Sequence, residues 1–236
     1  MSARLLQLAS PALPIGGYSY SGGLEWGIDS GRVHDETTAR EWIEDAVSLS
    51  VAGFEAPLMV AALRLLRSQD CEDGEAGRAN ELPHLDELVR LNEHSLAGRE
   101  TSELRQESIQ MGYSLGRWVL AVCPARPADE ALCARLQPLG LPVAWALASL
   151  RLGLEEREAA LGLLWSFAEN QAMVLMKALP IGQIAAQRLL LALGPRLEAA
   201  AARACRLDPA EWSNASPALA LASMKHETQY SRLFRS

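Results

Sequence analysis

The spacing of apolar and polar residues along the chain predicts a series of amphipathic helices. After Arg99, apolar residues recur at spacings of three, four and seven, which places them on one face of an α-helix. They are Leu104, Met111, Leu115, Trp118 and Val122. Arg99, Glu103 and Glu107 fall on other faces. We therefore expect one helix with an apolar side from about Arg99 onward.

The same pattern continues in the C-terminal half. A helix is expected from about Val143 to Leu152, and a second begins at the acidic Glu155 and keeps an apolar stripe as far as Pro180. Gln183 to Leu193 follows as a third helix. Gly-Pro after Leu193 is expected to end it and to separate it from another helix, Arg196 to Arg206.

Three segments mark boundaries between helices. Ser68 to Pro83 is acidic and glycine-containing, so it is expected to discourage helix. Cys123 to Pro142 carries four prolines, which limit any helix there to a short piece. Ser216-Pro217 is typical of a helix start, because serine is a favoured N-cap and proline suits the first turn.

Composition supports helices over strands. The chain has 236 residues, 49% of them hydrophobic, but only 6% are aromatic, and the apolar residues are mainly Ala and Leu. No fixed-period repeat or low-complexity tract divides it. We predict an all-α fold, a single-domain bundle of roughly eight to ten helices over residues 1–236.

Charge and cysteine content limit the partners and the compartment. A net charge of -7 argues against nucleic acid and acidic membranes as partners. The four cysteines are dispersed and are expected to be free thiols. The longest uncharged apolar run, Pro138 to Leu150, is too short for the ~20 residues that span a bilayer. The N-terminus is a poor secretory signal, so we predict a cytoplasmic protein.

A search for catalytic chemistry finds little. The four histidines, His34, His84, His94 and His226, have no partner at the four-residue spacing that builds a helical metal site. Phosphate-binding loops and nucleophile elbows are also absent from the sequence. We therefore predict a non-catalytic, protein-binding scaffold with no catalytic residues, no bound metal and no cofactor.

Two polar features indicate where partners could bind. Polar side chains lie on otherwise apolar helices on both sides of Pro180, and they form either a partner surface or a solvent face. They are Asn170, Gln171, Lys177, Gln183 and Gln187. The C-terminal residues Met224 to Ser236 carry three basic side chains against one acidic and are rich in aromatic and arginine residues. Aromatic and arginine residues contribute most of the binding energy at protein interfaces, so we favour a tail that docks on a partner over a frayed chain end.

Four ordered blocks make the chain resemble the urease accessory protein F family (UreF). They are LLQLASPALPIGGYSYSGGLEW at Leu5 to Trp26, RETSELR at Arg99 to Arg105, KALPIGQIAAQRLL at Lys177 to Leu190 and ASMKHETQYSRLFRS at Ala222 to Ser236. The resemblance implies an all-α, dimer-forming protein. It implies that the protein joins a D-type (in some bacteria H-type) accessory protein to a nickel-carrying GTPase, so that nickel enters apo-urease.

The resemblance also implies residue roles. The tail, about residues 224–236, would contact the D-type protein, and the residues assigned to that contact are Tyr230, Arg232, Leu233, Phe234 and Arg235. The GTPase would bind near Lys177, Gln183 and Gln187. Arg99, Glu100 and Glu103 of the RETSELR block would have structural or interface roles.

Two alternatives stay open. One is a helical hydrolase that uses a metal or an acid pair and assembles only in three dimensions. It requires at least two of five side chains to converge in a pocket: His34, His84, His94, Glu100 and Glu103. The other is a nickel-binding protein, against which the lack of a histidine-rich tract argues.

Overall fold

The computed structural model describes residues 2–76, 84–124 and 126–236, and every regular element in these ranges is helical. The all-α prediction is confirmed. The α-helices are α1 (Ala3–Leu8), α2 (Leu24–Asp29), α3 (Glu36–Ala46), α4 (Ala56–Ala76), α5 (Leu85–Ala97), α6 (Ser102–Val122), α7 (Pro127–Arg135), α8 (Leu141–Arg151), α9 (Glu156–Ala178), α10 (Gln183–Ala204) and α11 (Pro217–His226). A π-helical segment, Val47–Glu55, joins α3 to α4. If α3, the π-helical segment and α4 are counted as one continuous helix, the α-helices in the described ranges number ten.

Helix α8 lies at the centre of the bundle. Nine of its eleven residues are buried, and it packs between α4 and α6. Gly112 of α6 allows the close approach, because a Cβ there would collide with the backbone of Leu139 and Gly140 just before α8. Helix α9 packs along α10 and against α4, which completes the apolar core.

The helix starts follow the chemistry of their first residues. Helix α6 begins at Ser102 rather than Arg99, because the hydroxyl of Thr101 accepts a hydrogen bond from the Leu104 amide at 3.2 Å. Helix α9 begins after Glu155, whose amide donates to the Glu158 carboxylate at 3.2 Å. The predicted acidic start of this helix is confirmed.

Two predicted helix breaks are wrong. Helix α10 continues through Pro195, so the two helices expected there are one. The carbonyl of Leu191 loses its usual donor, but Pro195 and Leu191 lie on the exposed side of α10, where water can replace the hydrogen bond. Helix α4 likewise runs past Gly74 to Ala76. The rest of that predicted boundary, residues 77–83, lies outside the described residues.

One helical run in the described residues, 36–68, is long and apolar enough to cross a membrane. However, 78% of its apolar window is buried inside the protein. Such burial is typical of a helix in the core of a folded domain, which needs an apolar surface for packing.

Candidate partner-binding surfaces

The C-terminal segment, residues 227–236, lies back on the chain that carries it. The Arg235 amide donates to the Ser19 carbonyl at 2.8 Å, and the Ser21 amide donates to the Ser236 carbonyl at 2.8 Å. The side chain of Phe234 is buried. The segment therefore joins the loop before α2, and the first and last sequence blocks form one surface.

Glu25 at the start of α2 is the main anchor of the segment. Its carboxylate accepts hydrogen bonds from the Leu233 amide at 2.6 Å and the Phe234 amide at 3.0 Å. Gly23 makes this placement possible: its φ is +83°, and a Cβ would lie 3.0 Å from the Ser223 amide nitrogen. Glycine thus allows α2 to lie close against α11.

A buried histidine connects Glu25 to helix α6. Nε2 of His226 lies 3.1 Å from Glu25 Oε2, and Nδ1 lies 2.7 Å from Glu103 Oε2. The other oxygen of Glu103 accepts from Arg232 Nη1 at 2.6 Å. The His226 side chain is fully buried. Four charged or titratable side chains from α2, α6, α11 and the segment therefore form one cluster, the histidine cluster: Glu25, Glu103, His226 and Arg232.

Helix α6 supports the segment on both sides of Glu103. The Ser236 hydroxyl donates to Glu107 at 2.7 Å, and burial raises the pKa of the Glu107 carboxyl to about 7. At the start of α6, Glu227 accepts from the Ser102 amide at 3.0 Å. The hydrogen bonds from Ser102 lower the pKa of Glu227, the effect expected for a carboxylate at a helix N-terminus.

The five tail residues assigned to a partner divide into inward and outward groups. Phe234 is buried against the rest of the chain, whereas Tyr230 is fully exposed and Leu233 is 70% exposed. Arg232 is bound to Glu103, and Nη1 of Arg235 lies 3.4 Å from Gln110 Oε1. Tyr230 and Leu233 are therefore the apolar residues that this segment presents outward.

The polar residues before Pro180 do not share one environment. Asn170 Nδ2 donates to the Tyr20 carbonyl at 2.8 Å, and Gln171 Nε2 donates to the Ser21 carbonyl at 3.0 Å. These two residues hold the loop before α2 from inside. Neither a partner surface nor a solvent face describes Gln171, which is 1% exposed.

Lys177, Gln183 and Gln187 are exposed, as a partner-binding role requires. Gln183 and Gln187 share the surface of α10 with Ile184, 75% exposed, and Leu191, 80% exposed. These four residues form the α10 face. The Lys177 ammonium lies 5.2 Å from the ring centre of Phe234 and 5.9 Å from that of Tyr18. The tail and the region of Lys177 are therefore in contact.

The charged RETSELR residues Arg99 and Glu100 make contacts within their own chain. Arg99 makes a buried two-pronged ion pair with Glu55, with both N–O distances 2.8 Å. Glu100 accepts from Asn214 Nδ2 at 2.9 Å, and partial desolvation raises the pKa of its carboxyl, although its side chain reaches the surface. Since the Arg99 guanidinium is held by Glu55, it is not positioned to reach a partner's nucleotide.

A cavity of about 100 Å³ lies beside Arg99. Of the five side chains on which the hydrolase alternative depends, only Glu100 lines it. In the described ranges, no three His, Cys, Asp or Glu side chains are grouped to hold a metal ion. The required convergence is therefore not found there.

The sequence did not single out Glu25, His226 or Glu107 as individual functional residues. Glu25, Glu103 and His226 come from three different sequence blocks, and each block looks ordinary by itself. The available signal was their chemistry: an acid after Gly-Gly, an acid near a helix start and a histidine at a helix end. Only the fold shows that these side chains meet.

Comparison with known proteins gives a consistent result. The UreF family model matches residues 33–194. A protein named urease accessory protein UreF from Ectopseudomonas mendocina (strain ymp) is 50% identical over 234 residues, 98% of this chain and 97% of that protein. The protein of the same name from Azoarcus sp. (strain BH72) is 48% identical, and the match covers 99% of this chain and 94% of that protein. The one from Azotobacter vinelandii (strain DJ / ATCC BAA-1303) is also 48% identical, and the match covers 98% of this chain and 97% of that protein.

Proposed function

The chain belongs to the UreF family of non-catalytic urease accessory proteins, and we propose that it joins a D-type accessory protein to a nickel-carrying GTPase. In this proposal the assembled complex inserts nickel into apo-urease. The observation that carries it is the docked C-terminal segment, whose backbone amides donate to the Glu25 carboxylate while Tyr230 and Leu233 point outward. A preformed surface of this kind binds without first losing the entropy of a free tail.

The D-type protein is assigned to the outward side of the tail. Tyr230 and Leu233 are joined there by Leu221, 56% exposed, and Met224, 54% exposed, on α11. Exposed apolar residues next to arginines are typical of an interface centre. The GTPase is assigned to Lys177 and the α10 face.

The D-type assignment is tested with the double variant Tyr230→Ala/Leu233→Ala. Neither side chain is buried, so the fold should be kept while the complex with the D-type protein weakens by roughly tenfold or more. Isothermal titration calorimetry measures the affinity. Tyr113→Ala, at a 55% exposed tyrosine on α6, is the matched control. Unchanged affinity of the double variant would remove the tail from this interface.

The GTPase assignment is tested with Gln183→Ala and Gln187→Ala. Both side chains are exposed, so loss of GTPase from a size-exclusion complex would report contact rather than unfolding. Gln106→Ala, at an exposed glutamine on α6, is the control. Lys177→Ala is less suitable, because Lys177 also contacts Phe234. If wild-type chain forms no ternary complex with both partners, the scaffold proposal fails.

The proposal includes a homodimer, as the family resemblance implies, and a cytoplasmic location, as the sequence predicts. Light scattering coupled to size exclusion gives the mass directly. A mass near 25.6 kDa, that of one chain, at micromolar concentration would contradict the dimer.

A further inference from the structure

The histidine cluster has more polar contacts than a neutral imidazole can satisfy. Both ring nitrogens of His226 lie at hydrogen-bond distance from carboxylate oxygens, 3.1 Å from Glu25 and 2.7 Å from Glu103. A neutral ring carries one N–H, so its other nitrogen would direct a lone pair at an anionic oxygen. An imidazolium donates from both nitrogens. Both contacts therefore fit the doubly protonated ring between two carboxylates.

Both carboxylates that face His226 also hold the C-terminal segment. Glu25 accepts the amides of Leu233 and Phe234, and Glu103 accepts Arg232. If the ring loses a proton, one of the two carboxylates is repelled by the bare nitrogen. Whichever one moves away, the segment loses an anchor.

Charge balance leads to the same consequence. The cations His226 and Arg232 balance the anions Glu25 and Glu103 when the ring is protonated. Deprotonation leaves an uncompensated negative charge at a fully buried ring, which is unfavourable unless the carboxylates move towards water. Moving them breaks the contacts that fix residues 227–236.

We propose that residues 227–236 are a proton-controlled latch, docked while the His226 ring carries both protons and released as the ring loses one. The docked state binds one more proton than the released state. Docking is therefore complete at the lower pH and is lost as pH rises. The latch goes beyond the scaffold function, and it operates in the isolated chain without any partner.

One neighbouring group titrates in the same direction and must be separated from His226. Glu107 lies one turn after Glu103 on α6 and accepts a hydrogen bond from the Ser236 hydroxyl. Because its pKa is raised to about 7, its carboxyl also loses a proton near neutral pH. The variant Glu107→Gln removes this second titration. It leaves Glu25, Glu103, His226 and Arg232 in place.

The first test observes the ring directly. The chain has four histidines, so His34→Gln/His84→Gln/His94→Gln leaves His226 alone. Nitrogen-15 NMR of the labelled ring distinguishes imidazolium, whose two nitrogens are alike, from the neutral tautomers. We expect imidazolium wherever the segment is docked. A neutral ring in a docked segment would overturn the proposal.

The second test follows the segment by hydrogen exchange of the peptide 227–236 in the full chain, corrected for base catalysis. Above the titration of the ring, protection should fall by up to about tenfold per pH unit, because one proton is linked to docking. Glu107→Gln should keep this fall. The double variant His226→Gln/Glu107→Gln should show weaker protection that does not fall as pH rises, since neither glutamine carries a charge or titrates.

The outcomes separate the latch from simpler explanations. Protection that does not change as the ring deprotonates would overturn the proposal, as would a fall that disappears in Glu107→Gln. If the double variant fails to fold, the NMR titration and the exchange of the wild-type chain still decide. Neither measurement uses a partner protein, so failure of the latch is distinct from failure of the scaffold function.

Discussion

Helix α8 and the C-terminal segment are both ordered parts of the molecule, but they are held by different forces. Helix α8 is surrounded by apolar side chains, and its buried Trp145 makes one hydrogen bond, to the Ala159 carbonyl at 3.1 Å. The segment is held by the carboxylates of Glu25 and Glu103 and leaves Tyr230 and Leu233 in solvent. Apolar packing is indifferent to pH, whereas charged contacts are not. The core therefore supplies stability, and the segment supplies a surface that conditions can change.

Truncation in the core should have the largest effect. Trp145→Ala removes a side chain that is 1% exposed, so the free energy of unfolding should fall by about 3–5 kcal/mol. Urea denaturation measures the loss. The exposed-site variant Tyr113→Ala should change it by less than about 0.5 kcal/mol. A loss below ~1 kcal/mol for Trp145→Ala would show that α8 is not the packed centre of the fold.

Glu107 lies where the core meets the C-terminal segment, and its titration should make the free energy of unfolding depend on pH. The folded pKa of Glu107, about 7, lies above the ordinary glutamate value of 4.5. The folded state keeps a proton that the unfolded chain releases, so this group lowers stability as pH rises from 4.5 towards 7. Glu107→Gln should therefore gain up to about 3 kcal/mol relative to wild type across that interval.

Denaturation of both proteins at several pH values measures this difference. Glu36→Gln is the control, because Glu36 lies at the surface in an ion pair with Arg188. A constant difference between Glu107→Gln and wild type from pH 4.5 to 7 would mean that Glu107 titrates normally.

Much of the fold could be predicted from the sequence because helices are local. The apolar spacing after Arg99 predicted α6 to within a few residues, and the acids before α9 predicted its start. The break at Pro195 was wrong, since a proline penalty depends on whether water reaches the freed carbonyl. That exposure is a tertiary property, which the spacing of residues does not contain.

The candidate site was less predictable. Aromatic and basic composition indicated that the tail docks, but not that it docks on its own chain. His226 is 201 residues from Glu25 and 123 from Glu103 along the sequence, and no local pattern links such positions. An ion cluster of this kind depends on the packing of α2, α6 and α11.

The same kind of truncation in the segment should cost less than in the core. Phe234 is 6% exposed, yet Phe234→Ala should lower the free energy of unfolding by less than about 2 kcal/mol. A segment at a chain end can detach alone, so the global cost cannot exceed the free energy of that local opening. The amides of residues 233–235 also keep their acceptors in the variant.

The effect of Phe234→Ala should instead appear locally. Hydrogen exchange of peptide 227–236 should speed up while peptides from α8 stay as protected as in wild type, because the two regions open independently. Tyr230→Ala, in the same segment but fully exposed, should leave both unchanged. If Phe234→Ala lowered the protection of α8 as well, the segment would be part of the cooperative core, and the division of roles between packing and charge would fail.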